Sequence, residues 1–213
     1  MKQNIKKMTF YICALLSILF IFLILTDHIA WFDTTVYEAI ITIKGEKMTN
    51  LFLGISSVTI PFILISILFW FFYPKKMISF FVSFHLAFSF ILSNLLKLLF
   101  KRNRPVGIAL TFEPGYSMPS SHAMVSMIFL GFLISLVLIK GKKPYQKYIV
   151  SFVLILSILC IGISRIYLGV HYASDVLLGI FLGILYLLFF FHLKKVKMLF
   201  QKEDENEKGE TNL

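Results

Sequence analysis

The chain has 213 residues, 58% of them hydrophobic and only 15% charged, where an ordinary soluble domain carries about 25% charged residues. Its apolar residues fall in long runs, which places it in the membrane class as a single unit rather than among soluble enzymes. The formal charge of +10 lies in short lysine clusters beside those runs, not in a basic stripe interleaved with aromatics, and this argues against a nucleic-acid partner.

In chain order, a basic start from Met1 to Lys7 leads into the first apolar run, Phe10–Leu25. That run exceeds a signal-peptide core and lacks a small-residue cleavage site, so it reads as a retained first helix. Five more runs follow: Leu51–Tyr73, Met77–Leu96, Ala123–Ile139, Ile149–Leu168 and Val176–Leu193. Each is near the ~17–25 residues that cross a bilayer as a helix. Helix is obligatory there, because lipid offers no partner to a free backbone N–H or C=O. The expected fold is therefore all-α, a bundle of six transmembrane helices occupying residues 1–200. The tail beyond it, 201–213, carries Glu203, Asp204, Glu205, Glu207 and Glu210 and reads as a disordered acidic extension.

Between the first two runs, Thr26 to Asn50 contains Val36, Tyr37, Ile40, Ile41 and Ile43, a partly amphipathic pattern that predicts a short helix on the membrane surface. A structural lid and a substrate guide both fit it. Cys13 and Cys160 sit inside apolar runs without ligand spacing and read as inert core residues. His28, His85 and His192 read as packed or interfacial, and Gly179 and Gly183 as a close-packing site for another helix of the same chain.

Orientation follows from the lysines. With the N-terminus inside, cytoplasmic segments hold Lys2, Lys6, Lys7, Lys75, Lys76, Lys140, Lys142, Lys143, Lys147 and the lysines of the tail. The remaining cations, apart from Lys44 and Lys47, cluster around two of three polar stretches, the first and the last. The positive-inside rule then puts both termini in the cytoplasm, in a multi-pass protein of the cell membrane.

Three polar stretches carry the chemistry. Lys97 is followed by Arg104 and Pro105. Pro119, Ser120, Ser121 and His122 open the fourth helix. Ser164 and Arg165 lead to His171 and Asp175 across the fifth and sixth. Two crossings separate the second stretch from the third, so all three emerge on the outer, extracytoplasmic face. Lys101, Arg102 and Arg104 taken alone fit a solvated loop equally well, and Glu113 fits either a motif arginine or water.

A pocket of fixed cations, hydroxyls and imidazoles suits phosphoryl transfer, which needs positioning and charge stabilisation at the phosphate oxygens. Lys97, Arg104 and Arg165 would supply charge, and Ser120, Ser121 and the N–H groups of the fourth helix further hydrogen bonds. His171 and Asp175 are spaced i, i+4, so Asp175 can orient His171 as a nucleophile while His122 serves as general acid and base. The other outward acids, Asp27, Asp33, Glu38, Glu46 and Glu113, are scattered, so neither a metal nor another cofactor is expected.

These stretches resemble the signature of the type 2 phosphatidate phosphatase superfamily: K-x6-RP, PSGH and SR-x5-H-x3-D. Ser121 stands where the family's glycine is usual, which bears on how closely the backbone approaches phosphate. The resemblance implies a membrane hydrolase that removes phosphate from a lipid phosphate or diphosphate at the outer leaflet through a phosphohistidine. Undecaprenyl diphosphate, phosphatidylglycerophosphate, phosphatidate and diacylglycerol diphosphate are the substrates it suggests, the first being preferred. Transfer of the phosphate to another lipid, or binding and transport of a lipid phosphate without turnover, are the rival readings.

Overall fold

The computed structural model describes residues 2–141 and 143–192, and within them eight helices. They are α1 (Lys2–Leu25), α2 (Ala30–Ile41), α3 (Glu46–Ser56), α4 (Thr59–Phe72), α5 (Lys76–Phe100), α6 (Ser121–Lys140), α7 (Pro144–Tyr167) and α8 (Ala173–His192). Six stretches are long and apolar enough to cross a membrane, with α3 and α4 together forming one of them. The expected six-span, all-α architecture is what the chain adopts. The acidic extension at 201–213 lies outside the described residues, as does Leu193.

Most spans are longer than the apolar runs predict, because Lys, Gln and Ser continue a helix whose backbone must stay paired. The second run differs in kind. It breaks at Ser57 and Val58, where Ser57 N–H turns back to Gly54 O at 3.2 Å. Pro61 sits in the first turn of α4, where its missing N–H costs nothing because that group has no partner within the helix.

The central helix is α6, which packs against α5, α7 and α8. Its Phe129 and Phe132 are fully buried among Phe62, Ile78, Val82 and Phe190. In lipid, helices gain little from hiding apolar surface, and close contact between small residues takes over. Gly179 and Gly183 of α8 supply it. A β-carbon on Gly179 would stand 2.9 Å from Ser120 O, and one on Gly183 would stand 2.8 Å from Met127 Cγ. The pair thus packs α8 on α6 within the chain, as expected from its spacing.

Two turns set the site end of the bundle. Lys101 closes α5 in a left-handed conformation, φ 50°, with its N–H on Lys97 O. Gly169 ends α7 at φ 66°, and a β-carbon there would lie 2.5 Å from Ile108 O. Only glycine permits that approach. Leu110 N–H then bonds Leu168 O at 2.8 Å, joining the α5–α6 loop to the α7–α8 turn.

The segment between α1 and α3 does contain the short helix its pattern predicts, α2. Its apolar stripe lies on protein: Phe32, Val36, Tyr37 and Ile40 pack on Ala123, Ile166, Ala173 and Val176. Cys13 is buried, Cys160 half-buried, and both are free thiols. His85 is buried, stacked at 4.1 Å on Phe132 with Nδ1 on Phe81 O. His28 and His192 are exposed.

Candidate active site

The three polar stretches meet at one end of the bundle. Lys97 approaches from the last turn of α5, Ser120 and His122 from the start of α6, Arg165 from the last turn of α7, and Asp175 from the first turn of α8. Arg104 and His171 come from the connecting loops.

His171 is 2% exposed. Its Nε2 accepts from Arg104 Nη1 at 3.2 Å, because an arginine can only donate. The ring proton therefore belongs on Nδ1, which faces Asp175 Oδ2 at 3.7 Å. That spacing is beyond a hydrogen bond. The orienting pair expected from the i, i+4 spacing is present but open, because α8 starts at Ala173 and leaves His171 in the preceding turn. Burial pushes His171 down to about 4 against the pull of Asp175, with Lys97 and Arg104 adding to the fall. That shift favours the neutral imidazole at neutral pH.

The cations converge on four consecutive residues of the α5–α6 loop. Lys97 Nζ donates to Tyr116 O at 2.7 Å. Arg104 donates to Gly115 O and Pro114 O, each at 3.0 Å, and to Val170 O at 2.8 Å. Arg165 pairs with Glu113. Burial works to raise Glu113, but the guanidinium outweighs it and holds the carboxyl below its ordinary value. Of the two fates open to Glu113, pairing with a motif arginine is the one adopted. Arg104, expected to supply charge to phosphate, has its donors on three backbone carbonyls and His171.

The hydroxyls divide. Ser164 is fixed, donating to Ile161 O at 2.7 Å and contacting Ser56 Oγ at 3.0 Å. Ser120 Oγ is buried without a partner, as are Arg165 Nε and His171 Nδ1. Buried polar atoms without a partner are uncommon, and three of them belong to the motif residues. Ser121 and His122 are half-buried in the first turn of α6. Arg165, Glu113, His171 and Lys97 all act electrostatically on His122.

Sequence reasoning missed Asp33, Arg102 and Ser174. Arg102 is no solvated loop residue: Nη1 donates to Asp175 Oδ1 at 2.7 Å and Nη2 to Asp33 Oδ2 at 2.8 Å. Burial works against its charge, but Asp175 and Asp33 outweigh it and hold Arg102 above its ordinary value. The signal was available, since Asp33 falls on the apolar stripe of α2 between Ile29 and Val36, where an unpaired acid would be costly.

A six-span bundle with a cationic, histidine-bearing cluster at one end of its helices is the frame of an integral membrane enzyme suited to phosphate esters. The family model for the PAP2 superfamily matches residues 78–198, and the chain belongs to that family. It is 33% identical over 204 residues to phosphatidylglycerophosphatase B of Bacillus subtilis, covering 87% of this chain and 98% of that protein. It is 29% identical over 127 residues to dolichyldiphosphatase of Saccharomyces cerevisiae, a match that spans 54% of this chain and 52% of the yeast protein. The crystal structure of a transmembrane PAP2-type phosphatidylglycerolphosphate phosphatase from Bacillus subtilis superposes with a TM-score of 0.76. That structure is 26% identical in sequence, and the superposition covers 86% of this chain and 96% of that one.

Proposed function

We propose that the protein is a phosphatase of the cell membrane that works on lipid phosphates or diphosphates at the extracytoplasmic face, through a phosphohistidine on His171. The observation that carries this reading is a buried His171 with Arg104 Nη1 on its Nε2 at 3.2 Å and Asp175 Oδ2 facing its Nδ1.

In the first step Nε2 attacks phosphorus, the bond to the leaving oxygen breaks, and His122 gives that oxygen a proton. In the second, His122 takes a proton from water, the hydroxide attacks the phosphohistidine, and inorganic phosphate leaves with His171 neutral again. Asp175 steadies the proton on Nδ1 as positive charge develops on the ring. Lys97, Arg165, Ser120, Ser121 and the N–H groups opening α6 bind the phosphate oxygens, and Arg104 joins them as its contact with Nε2 gives way. An incoming phosphate replaces the Glu113 carboxylate on Arg165.

Among the described residues no three His, Cys, Asp or Glu side chains stand close enough to share a metal ion, and Asp33 and Asp175 are both engaged by Arg102. The route proposed assigns the phosphate charge to the fixed cations Lys97, Arg104 and Arg165. Names of relatives guide the substrate. Phosphatidylglycerophosphate comes first for a full-length likeness to phosphatidylglycerophosphatase B, and a polyprenyl diphosphate second for the likeness to dolichyldiphosphatase.

The deciding experiment measures phosphate release by purified protein over a panel of these lipids, with and without excess chelator, beside His171→Ala. The expected result is chelator-resistant release that falls on the order of 10³-fold in the variant. Normal release by His171→Ala would overturn the nucleophile, and phosphorylated acceptor without free phosphate would point to transfer instead.

A further inference from the structure

Asp33 lies outside all three motif stretches, yet it reaches the centre of the site. It is 4% exposed. Oδ1 accepts from Ser174 N–H at 2.8 Å, and Oδ2 accepts from Ser174 Oγ and Arg102 Nη2, each at 2.8 Å. Arg102 in turn donates through Nη1 to Ser174 Oγ at 2.8 Å and to Asp175 Oδ1 at 2.7 Å. Its guanidinium is stacked 3.9 Å from the centre of the Tyr172 ring, which fixes its plane. Tyr172 N–H donates to Asp175 Oδ2 at 3.1 Å, and that oxygen is the one facing His171 Nδ1.

Arginine–carboxylate pairs are frequently two-pronged, one fork taking both oxygens. Here the fork is split between two carboxylates on different helices. We propose that Asp33 and Arg102 are positioning residues for the phosphatase reaction: Asp33 draws off one prong of Arg102, so that Arg102 holds Asp175 by Oδ1 alone and leaves Oδ2 aimed at His171. Without Asp33, Arg102 rotates onto both oxygens of Asp175 and pulls Oδ2 away from the ring. The helix α2 is thereby a working part of the catalytic apparatus, tied to the first turn of α8 by charge as well as by packing. The proposal rests on the assignment of His171 as nucleophile.

The charged and titratable groups around the His171–Asp175 pair are Lys97, Arg104, Arg102 and His122, with Arg165, Glu113 and Asp33 behind them. Removing a negative charge from this set disfavours imidazolium, and removing a positive charge favours it. The acid limb of kcat/KM therefore moves to lower pH in Asp33→Asn and to higher pH in Arg102→Gln, and returns near the wild-type position in the double variant D33N/R102Q. These opposed shifts report the charges of Asp33 and Arg102 at His171, and the positioning itself is read from kcat.

The test uses the full-length enzyme in detergent with a lipid phosphate it turns over. Asp33→Asn is expected to lose about 10- to 100-fold in kcat, as supporting residues around a reactive group commonly do, with KM within about threefold. Wild-type kcat in Asp33→Asn, or limbs that stay put or move the same way in both single variants, overturns the positioning role. Should Asp33→Asn fail to fold, Asp33→Glu carries the test. It keeps the charge and shifts the carboxylate, so kcat falls with KM near the wild-type value, and unchanged kcat overturns the role. His171→Ala is run alongside. If it turns over normally, the nucleophile assignment fails; if it is inactive while Asp33→Asn is normal, only the positioning fails.

Discussion

Asp175 carries two relationships, and both favour its charge. Arg102 stabilises that charge, and in the proposed mechanism the charge holds the Nδ1 proton of His171 and steadies a cationic ring. Replacing it with asparagine keeps the shape and removes the charge that raises His171 against burial, Lys97 and Arg104. The sign is fixed: His171 falls further below its present value of about 4. The acid limb of kcat/KM in Asp175→Asn accordingly moves to lower pH than in the wild type, while kcat drops on the order of 10³- to 10⁴-fold, as when an orienting acid is neutralised in other triads. The two enzymes share one substrate, so its own ionisation cancels in the comparison. A limb that rises in the variant would show that Asp175 does not act on His171. At this scale the sequence spoke through spacing. His171, Asp175, Lys97 and Arg104 could be read because each belongs to a short pattern with a chemical rationale. Asp33 signalled only that an acid on an apolar stripe needs a partner, because the partners themselves lie 69 and 141 positions away, and nothing local says which arginine an isolated acid will meet.

Elements show the same division. Hydropathy located every span, since a membrane demands about 20 apolar residues whatever the side chains, but it ignored Pro61 and so ran α3 and α4 together. Amphipathicity found α2 and put it against the bilayer, whereas its stripe is satisfied by α6, α7 and α8. Gly179 ties this scale to function. It is where α8 rides against the backbone of Ser120 and Met124, at 2.9 and 3.2 Å from an added β-carbon. Backbone cannot swing aside as a side chain does, so Gly179→Ala forces α6 and α8 apart at the end that bears His122 and Asp175. Overpacking of this kind costs about 1–3 kcal/mol. The expected outcome is a lower melting temperature in detergent together with reduced kcat. Gly54→Ala is the matched control, because an added β-carbon there meets nothing within 4 Å and alanine favours the helix by about 1 kcal/mol. Equal behaviour of the two variants would show that the α6–α8 contact does not govern the site.

For the molecule as a whole, charge is divided between the two ends of the bundle. The end with the site carries Asp27, Asp33, Glu38, Glu46, Glu113 and Asp175 among its lysines and arginines. The opposite end, where α1 begins and the α4–α5 and α6–α7 turns lie, has Lys7, Lys75, Lys76, Lys140, Lys143 and Lys147. Positive charge is retained on the cytoplasmic side during insertion, and acids weigh little in that balance, so the second end is the one proposed to face the cytoplasm. Phe112 is 87% exposed on the α5–α6 loop, and Tyr145 is 58% exposed at the start of α7. In cells expressing a chain with Cys13 and Cys160 replaced by alanine, Phe112→Cys is expected to react with a membrane-impermeant maleimide. Tyr145→Cys is expected to react only after the membrane is opened. The opposite pattern would turn the site toward the cytoplasm and remove outer-leaflet lipids from its reach, while labelling of both from outside would break the even-crossing topology that brings Lys97, His122 and His171 to one surface.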